Sequence, residues 1–156
     1  MRGLYAALGR EMRAKTFEDR LRIQKEVYIM RLHPDLAPLL PFEFDMYIRG
    51  PYSTDLADAY YAKARPARVE VTARAAAYAG EVLGMDPWAL EVAATLVEIC
   101  SYNARFPEFT AEEGLEILLE RRPRATEEDA RRALEALRGL AAKYPEIKLP
   151  TPCAPR

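Results

Sequence analysis

The sequence predicts a single, mainly helical domain of about six helices with a minor two-stranded β element. Three observations point to this fold class. Apolar residues recur at helical spacing along most of the chain, as at Leu4, Leu8 and Met12. Helix-start signals precede several of these segments, and only two short segments alternate with the period of a strand. At 156 residues, the chain has the length of one ordinary domain.

Two helices are predicted at the N-terminus, over residues 2–15 and 17–32. Thr16 has the position and chemistry of an N-cap for the second helix. Apolar residues surround most of that helix, which is typical of a centrally buried helix. The helix is expected to end before Pro34, because the residue preceding a proline avoids helical backbone angles.

A strand, a turn and a short helix are predicted next. Residues 42–48 alternate in the manner of a strand, and residues 68–71 are the second predicted strand, which could pair with the first. Gly50 and Pro51 break the first strand. Ser53 or Thr54 is then expected to cap a short third helix.

The second half of the chain carries clear helix boundaries. Helices are predicted over residues 73–83, 87–104 and 111–121, followed by a last helix that Thr126 caps. The last two helices form a pair with the outline of a helix-turn-helix. Residues 145–156 contain four prolines and are expected to form an extended tail, so residues 1–144 constitute the predicted helical domain.

Composition excludes several classes of protein. With 23 basic and 24 acidic residues, the chain has no strong net charge that would attract polyanions. One histidine and two cysteines cannot build a histidine-rich zinc site or a zinc ribbon, and no metal or cofactor is expected. No apolar run is long enough to span a membrane, which predicts a cytoplasmic protein.

The scarcity of amides has a separate implication. The chain contains one glutamine and one asparagine, and such depletion is typical of proteins from thermophiles, although 18 arginines against 5 lysines also fit a GC-rich genome. Intracellular proteins of hyperthermophiles can hold disulfides. A bridge between Cys100 and Cys153 is therefore left open.

One cluster of candidate ligand-binding residues lies on the second helix and in the Gly-Pro turn. Lys25 would supply positive charge within an apolar helix, and a strand-to-helix turn at Gly50 could present amide groups to an anion. The alternative is a structural network that joins the helix to the turn. In that case Gln24 is expected to be buried and hydrogen-bonded, Gly50 to have a positive φ, and the Tyr52 ring to pack toward Tyr28. The full candidate set is Gln24, Lys25, Tyr28, Arg49, Gly50, Pro51, Tyr52 and Ser53.

Two other groups of residues are weaker candidates. Glu91 and Glu98 lie on one face of the long helix, where acid-base chemistry would require burial, but a boundary or solvated face is favoured. A nucleic-acid interface would use arginines of the last helix pair, which are then expected to project together into solvent. These are Arg124, Arg131, Arg132 and Arg138.

Three segments together resemble the YwgA-like group of small prokaryotic proteins and, more distantly, the SocA/Panacea antitoxin-like domain. Residues 22–29 resemble the group's Leu-Gln-Lys-x-x-Tyr helix, residues 47–56 its Gly-Pro-Tyr-Ser turn, and residues 90–96 its Leu-Glu-x-x-Ala-Ser/Thr helix. The resemblance covers residues 17–140. The YwgA-like group implies no particular activity, and the distant antitoxin-like link implies regulation of other proteins by binding. Neither implies catalysis.

The predicted function is therefore a non-catalytic regulatory or adaptor role. The expected partner is another protein, with a homodimer left open. DNA binding through the last helix pair is the first alternative, and a small enzyme with a pocket at the Gly50 turn is the second.

Overall fold

The computed structural model describes residues 1–63 and 65–155, which form seven α-helices, one short 3-10 helix and one β-hairpin. The mainly helical class predicted from the sequence is confirmed. In chain order the elements are α1 (Arg2–Ala7), α2 (Phe17–Met30), the 3-10 helix (Ala37–Leu39), β1 (Asp45–Tyr47), β2 (Gly50–Tyr52), α3 (Thr54–Tyr61), α4 (Ala73–Leu83), α5 (Pro87–Asn103), α6 (Ala111–Arg121) and α7 (Glu127–Lys143).

Helix α5 is the centre of the molecule. Every residue from 92 to 100 is buried, because α2, α6, α7 and the hairpin all pack around this helix. Asp86 caps it by accepting hydrogen bonds from the amides of Trp88 and Ala89, and Pro87 occupies its first turn. Helix α2 is the second buried helix, as predicted, and it also packs on α4.

The hairpin differs from the predicted β element. Strand β1 covers only part of the predicted 42–48 segment, and it pairs antiparallel with β2, which begins at Gly50. Residues 68–71 form no strand, so the prediction that they could pair with the first strand is wrong. The reason is local: Gly50 has φ +84°, and a two-residue turn closed by such a glycine folds the chain directly back on itself.

Helix α1 is shorter than predicted. It ends at Ala7 instead of continuing to residue 15. Gly9 follows with φ +69°, a left-handed conformation that interrupts a right-handed helix. Met12 still reaches the core from the irregular segment beyond it.

The proline-rich tail is anchored to the helical domain. As far as residue 155 it contains no helix or strand, and Arg156 lies outside the described residues. Ile147 and Cys153 are nevertheless buried, and a Cys100–Cys153 disulfide ties the tail to α5. None of the described helices combines the length and the apolar character that a membrane span requires.

Candidate functional site

A buried hydrogen-bonded pair joins α2 to the Gly-Pro corner. The Gln24 amide nitrogen donates to the Ser53 carbonyl oxygen at 2.9 Å, and the Ser53 backbone N–H donates to Gln24 Oε1 at 2.8 Å. Both residues are buried, so this pair satisfies backbone groups that water cannot reach. The prediction that Gln24 is buried and hydrogen-bonded is confirmed.

Lys25 also contacts the Gly-Pro corner. Its Nζ donates to the Pro51 carbonyl oxygen at 2.6 Å, and the side chain is buried. Burial lowers the pKa of Lys25 to about 8, although the nearby carboxylates of Glu91 and Glu98 oppose this shift. The ammonium group is thus held by a carbonyl and two acidic neighbours.

Gly50 is required by both conformation and space. A Cβ at this position would lie 2.5 Å from Thr95 Oγ1 and 3.5 Å from Lys25 Nζ. Ser53, in turn, caps α3 by accepting a hydrogen bond from the Leu56 N–H. These contacts pack the Gly-Pro corner against α2 and α5. This arrangement agrees with the structural network that the sequence offered as the alternative to a ligand site.

The two tyrosines of the candidate set lie apart. The Tyr28 ring packs edge-on against Phe44 at 5.1 Å, whereas the Tyr52 ring lies 5.2 Å from Tyr47. Tyr52 is half-buried, so the expectation that it packs toward Tyr28 is wrong. Tyr47 and Tyr52 are diagonal neighbours across the hairpin, where large rings commonly meet.

A pocket of about 480 Å³ lies beside this corner, between α2, the hairpin tip, the start of α5 and the α6–α7 connection. We call it the basic pocket, because six cationic and only two acidic side chains line it. The cations are Arg22, Lys25, Arg49, Arg121, Arg122 and Arg124, and the acidic residues are Glu18 and Glu91.

Arg122 organises the wall of the basic pocket. It forms an ion pair with Glu91 and donates to the Ile48 carbonyl oxygen at 3.3 Å, which connects α5, the hairpin tip and the end of α6. Its guanidinium also lies 5.5 Å from the centre of the Trp88 ring. Only 8% of its side chain is exposed, so the role of Arg122 is structural.

Three other exposed arginines bring positive charge to the pocket. Among the described residues, no salt bridge involves Arg49, Arg121 or Arg124. Arg49 lies over the Phe17 ring at 5.2 Å, and Arg124 lies over Trp88 at 5.7 Å. Exposed guanidinium groups held in this way are suited to bind a carboxylate or a phosphate.

The carboxylates of α5 are more enclosed than a solvated face would be. Glu91 is neutralised by Arg122. Glu98 is buried, and its Oε2 has no hydrogen-bond partner among the described residues. Burial raises the pKa of Glu98 to about 7, and the Lys25 ammonium partly offsets this rise. The two carboxylates do not converge on the pocket, because only Glu91 lines it.

The candidate nucleic-acid residues do not share one surface. Arg124 lines the basic pocket, whereas Arg131 and Arg132 are exposed on α7 outside it, and Arg132 pairs with Glu128. Arg138 is half-buried, and its Nε lacks a partner. The expectation that all four project together into solvent is therefore not met.

Sequence reasoning missed the basic pocket as a unit. Its walls come from four segments that are distant along the chain, so no spacing rule connects them. The one local signal was the run of arginines at 121, 122 and 124. In the part of the chain that is described, no three His, Cys, Asp or Glu side chains are grouped to hold a metal ion.

The chain was also compared with known proteins. No family model, no curated protein and no solved structure matches it. The geometry of the basic pocket is therefore the basis for assigning a function.

Proposed function

We propose that this protein is a non-catalytic regulatory or adaptor protein that binds another macromolecule and holds an anionic group of that partner in the basic pocket. The observation that carries the proposal is that three exposed arginines, Arg49, Arg121 and Arg124, line a pocket of about 480 Å³ without forming a salt bridge among the described residues. Pockets of this size are typical of specific ligand sites.

Local electrostatics favour an anion at this position. Arg49, Arg121 and Arg124 form no salt bridge among the described residues. Lys25 also lines the pocket, but its buried ammonium already donates to the Pro51 carbonyl oxygen. Attraction between charges is stronger beside a protein wall than in bulk water. The net charge of −1 confines this attraction to the pocket and gives no general affinity for polyanions.

The surrounding chemistry supports binding in preference to catalysis. The single histidine, His33, is buried against Tyr78 and faces Glu146, outside the basic pocket. The Ser53 hydroxyl caps a helix, and the Arg122 ion pair occupies Glu91. Among the residues that the structure describes, the pocket lining therefore shows no hydrogen-bonded pair of a nucleophile and a base.

The remaining sequence predictions belong to the same proposal. The distant resemblance to an antitoxin-like domain agrees with regulation through binding, whereas the resemblance to the YwgA-like group implies no particular activity. A cytoplasmic protein from a thermophile would also accommodate the Cys100–Cys153 disulfide, since intracellular disulfides occur in such organisms.

Trp88 provides a direct test, because it is the only tryptophan and it lines the pocket. We expect inorganic pyrophosphate to change the Trp88 fluorescence in a saturable manner and the affinity to fall as chloride is added. Arg49→Gln and Arg124→Gln should weaken binding. Arg131→Gln is the matched control, because Arg131 is an exposed arginine outside the pocket.

Two results would contradict the proposal. One is a fluorescence response no larger than that to an equal ionic strength of sodium chloride. The other is equal loss of affinity in Arg131→Gln and Arg49→Gln, which would indicate nonspecific attraction. A partner protein captured from native extract should likewise be lost with Arg49→Gln and retained with Arg131→Gln.

A further inference from the structure

The basic pocket has an apolar rim at the hairpin tip. The Ile48 side chain is 91% exposed, and Tyr47 and Phe17 are each 52% exposed. Ile48 lines the basic pocket and also a neighbouring shallow pocket formed with Met46, Tyr47 and Arg121. An exposed apolar group beside concentrated positive charge is a feature of binding surfaces.

Arginines lie over two of the aromatic rings at this surface. Arg49 lies over Phe17, and both Arg122 and Arg124 lie over Trp88. Tyr47 has no cation over its ring among the described residues, but it packs against Tyr52. Single-stranded nucleic acid binds through free aromatic faces on which bases stack. The shortage of free ring faces and the net charge of −1 therefore disfavour a nucleic acid, while Ile48 offers an aliphatic contact.

Building on the proposed function, we propose that the partner inserts an acidic protein segment at this site. Its carboxylates bind in the basic pocket, and a neighbouring apolar side chain packs on Ile48 and Tyr47. Charge complementarity carries the first half, since Arg49 and Arg121 are exposed without carboxylate partners among the described residues. The apolar tip, which adjoins Arg121, carries the second half.

A pair of synthetic peptides distinguishes carboxylate binding in the basic pocket from apolar packing at the hairpin tip. The first is a labelled Glu-Asp-Leu-Glu-Asp peptide with blocked ends, and the second has Ser in place of Leu. We expect the Leu peptide to bind roughly tenfold more tightly, as burial of one aliphatic side chain implies. Fluorescence anisotropy of the label measures both affinities.

Two variants connect the affinities to the surface. Ile48→Ser should abolish the difference between the peptides without lowering the melting temperature, because the Ile48 side chain is almost fully exposed. Arg49→Gln should weaken both peptides equally. Tyr102→Ser is the control, since Tyr102 is 62% exposed and lines neither of the two pockets.

The outcomes separate this inference from the proposed function. Equal affinity for the two peptides, or tighter binding of a hexathymidylate than of the Leu peptide, would overturn the inference. Pyrophosphate binding in the pocket without binding of either peptide would overturn the inference and leave the proposed function intact. Failure of pyrophosphate and both peptides would reject both.

Discussion

Removing the Gln24 side chain should strongly destabilise the fold. Gln24→Ala deletes both hydrogen bonds to Ser53. The buried Ser53 N–H is then left without a partner, whereas the Ser53 carbonyl oxygen keeps its hydrogen bond from the Ala57 N–H. One orphaned buried group costs on the order of 1 to 3 kcal/mol, and the vacated volume adds to the loss. We expect the free energy of unfolding to fall by about 2 to 4 kcal/mol in total.

A loss of this size is measurable in a chain of 156 residues. For a domain of this length each kcal/mol shifts the melting temperature by about 2 to 4 °C, so a decrease of roughly 4 to 16 °C is expected. Urea unfolding followed by circular dichroism would give the free energy, provided that the slope with urea is unchanged.

Gln24→Met separates the hydrogen bonds from the packing. Methionine retains most of the side-chain volume but cannot pair with the Ser53 backbone. If the unpaired Ser53 backbone accounts for most of the effect, the free energy of unfolding should fall in the Met variant by more than half of its fall in the Ala variant. A Met variant as stable as the native protein, or an Ala variant destabilised by less than about 1 kcal/mol, would refute the reasoning.

Four further predictions concern the corner, the tail, a buried acid and the DNA-binding alternative. Gly50→Ala should lower the free energy of unfolding in urea by at least about 2 kcal/mol, because the backbone is left-handed and a Cβ would approach its neighbours too closely. Gly139→Ala is the control and should not destabilise the protein, because the space around its Cβ is open. Reducing the disulfide should lower the free energy of unfolding by about 4 kcal/mol, because it closes a loop with a sequence separation of 53, and equal urea midpoints for oxidised and reduced protein would contradict this. Burial raises the pKa of Glu98 to about 7, so the folded state retains a proton that the unfolded state has released, and stability should decline as pH rises from 4.5 toward 7. Glu98→Gln should flatten the decline of the melting temperature with pH. A pH profile of the melting temperature that the substitution leaves unchanged would contradict the raised pKa of Glu98. Duplex DNA should give no gel shift at low salt, while a shift that weakens with salt and with Arg131→Ala would favour the DNA-binding alternative.

Helix boundaries are the part of the fold that local sequence determines most directly. Thr16, Thr110 and Thr126 each begin a helix with a capping box, because their side chains satisfy amides three residues further along. The bounds of α4 and α6 agree with prediction for the same reason. These interactions span only a few residues, so the sequence contains all the information they need.

Pairing between segments required the tertiary structure. The alternation in residues 42–48 indicated a strand but not its partner, and only three of those residues pair. The spacing of apolar residues likewise predicted an α1 that is too long. Gly9 permits a left-handed backbone without requiring one, so the sequence did not show that the helix ends there. Tertiary contacts select among the conformations that such segments can adopt.

The candidate site divides in the same way. Buried Gln24 and the positive φ of Gly50 followed from residue chemistry alone, since an amide on an apolar helix needs a partner and a sharp turn needs a glycine. The basic pocket did not, because Lys25, Arg49, Trp88 and Arg124 belong to four separate segments. The packing of the helices decides which charges become neighbours and which have no partner. Spacing along the sequence does not determine those distances.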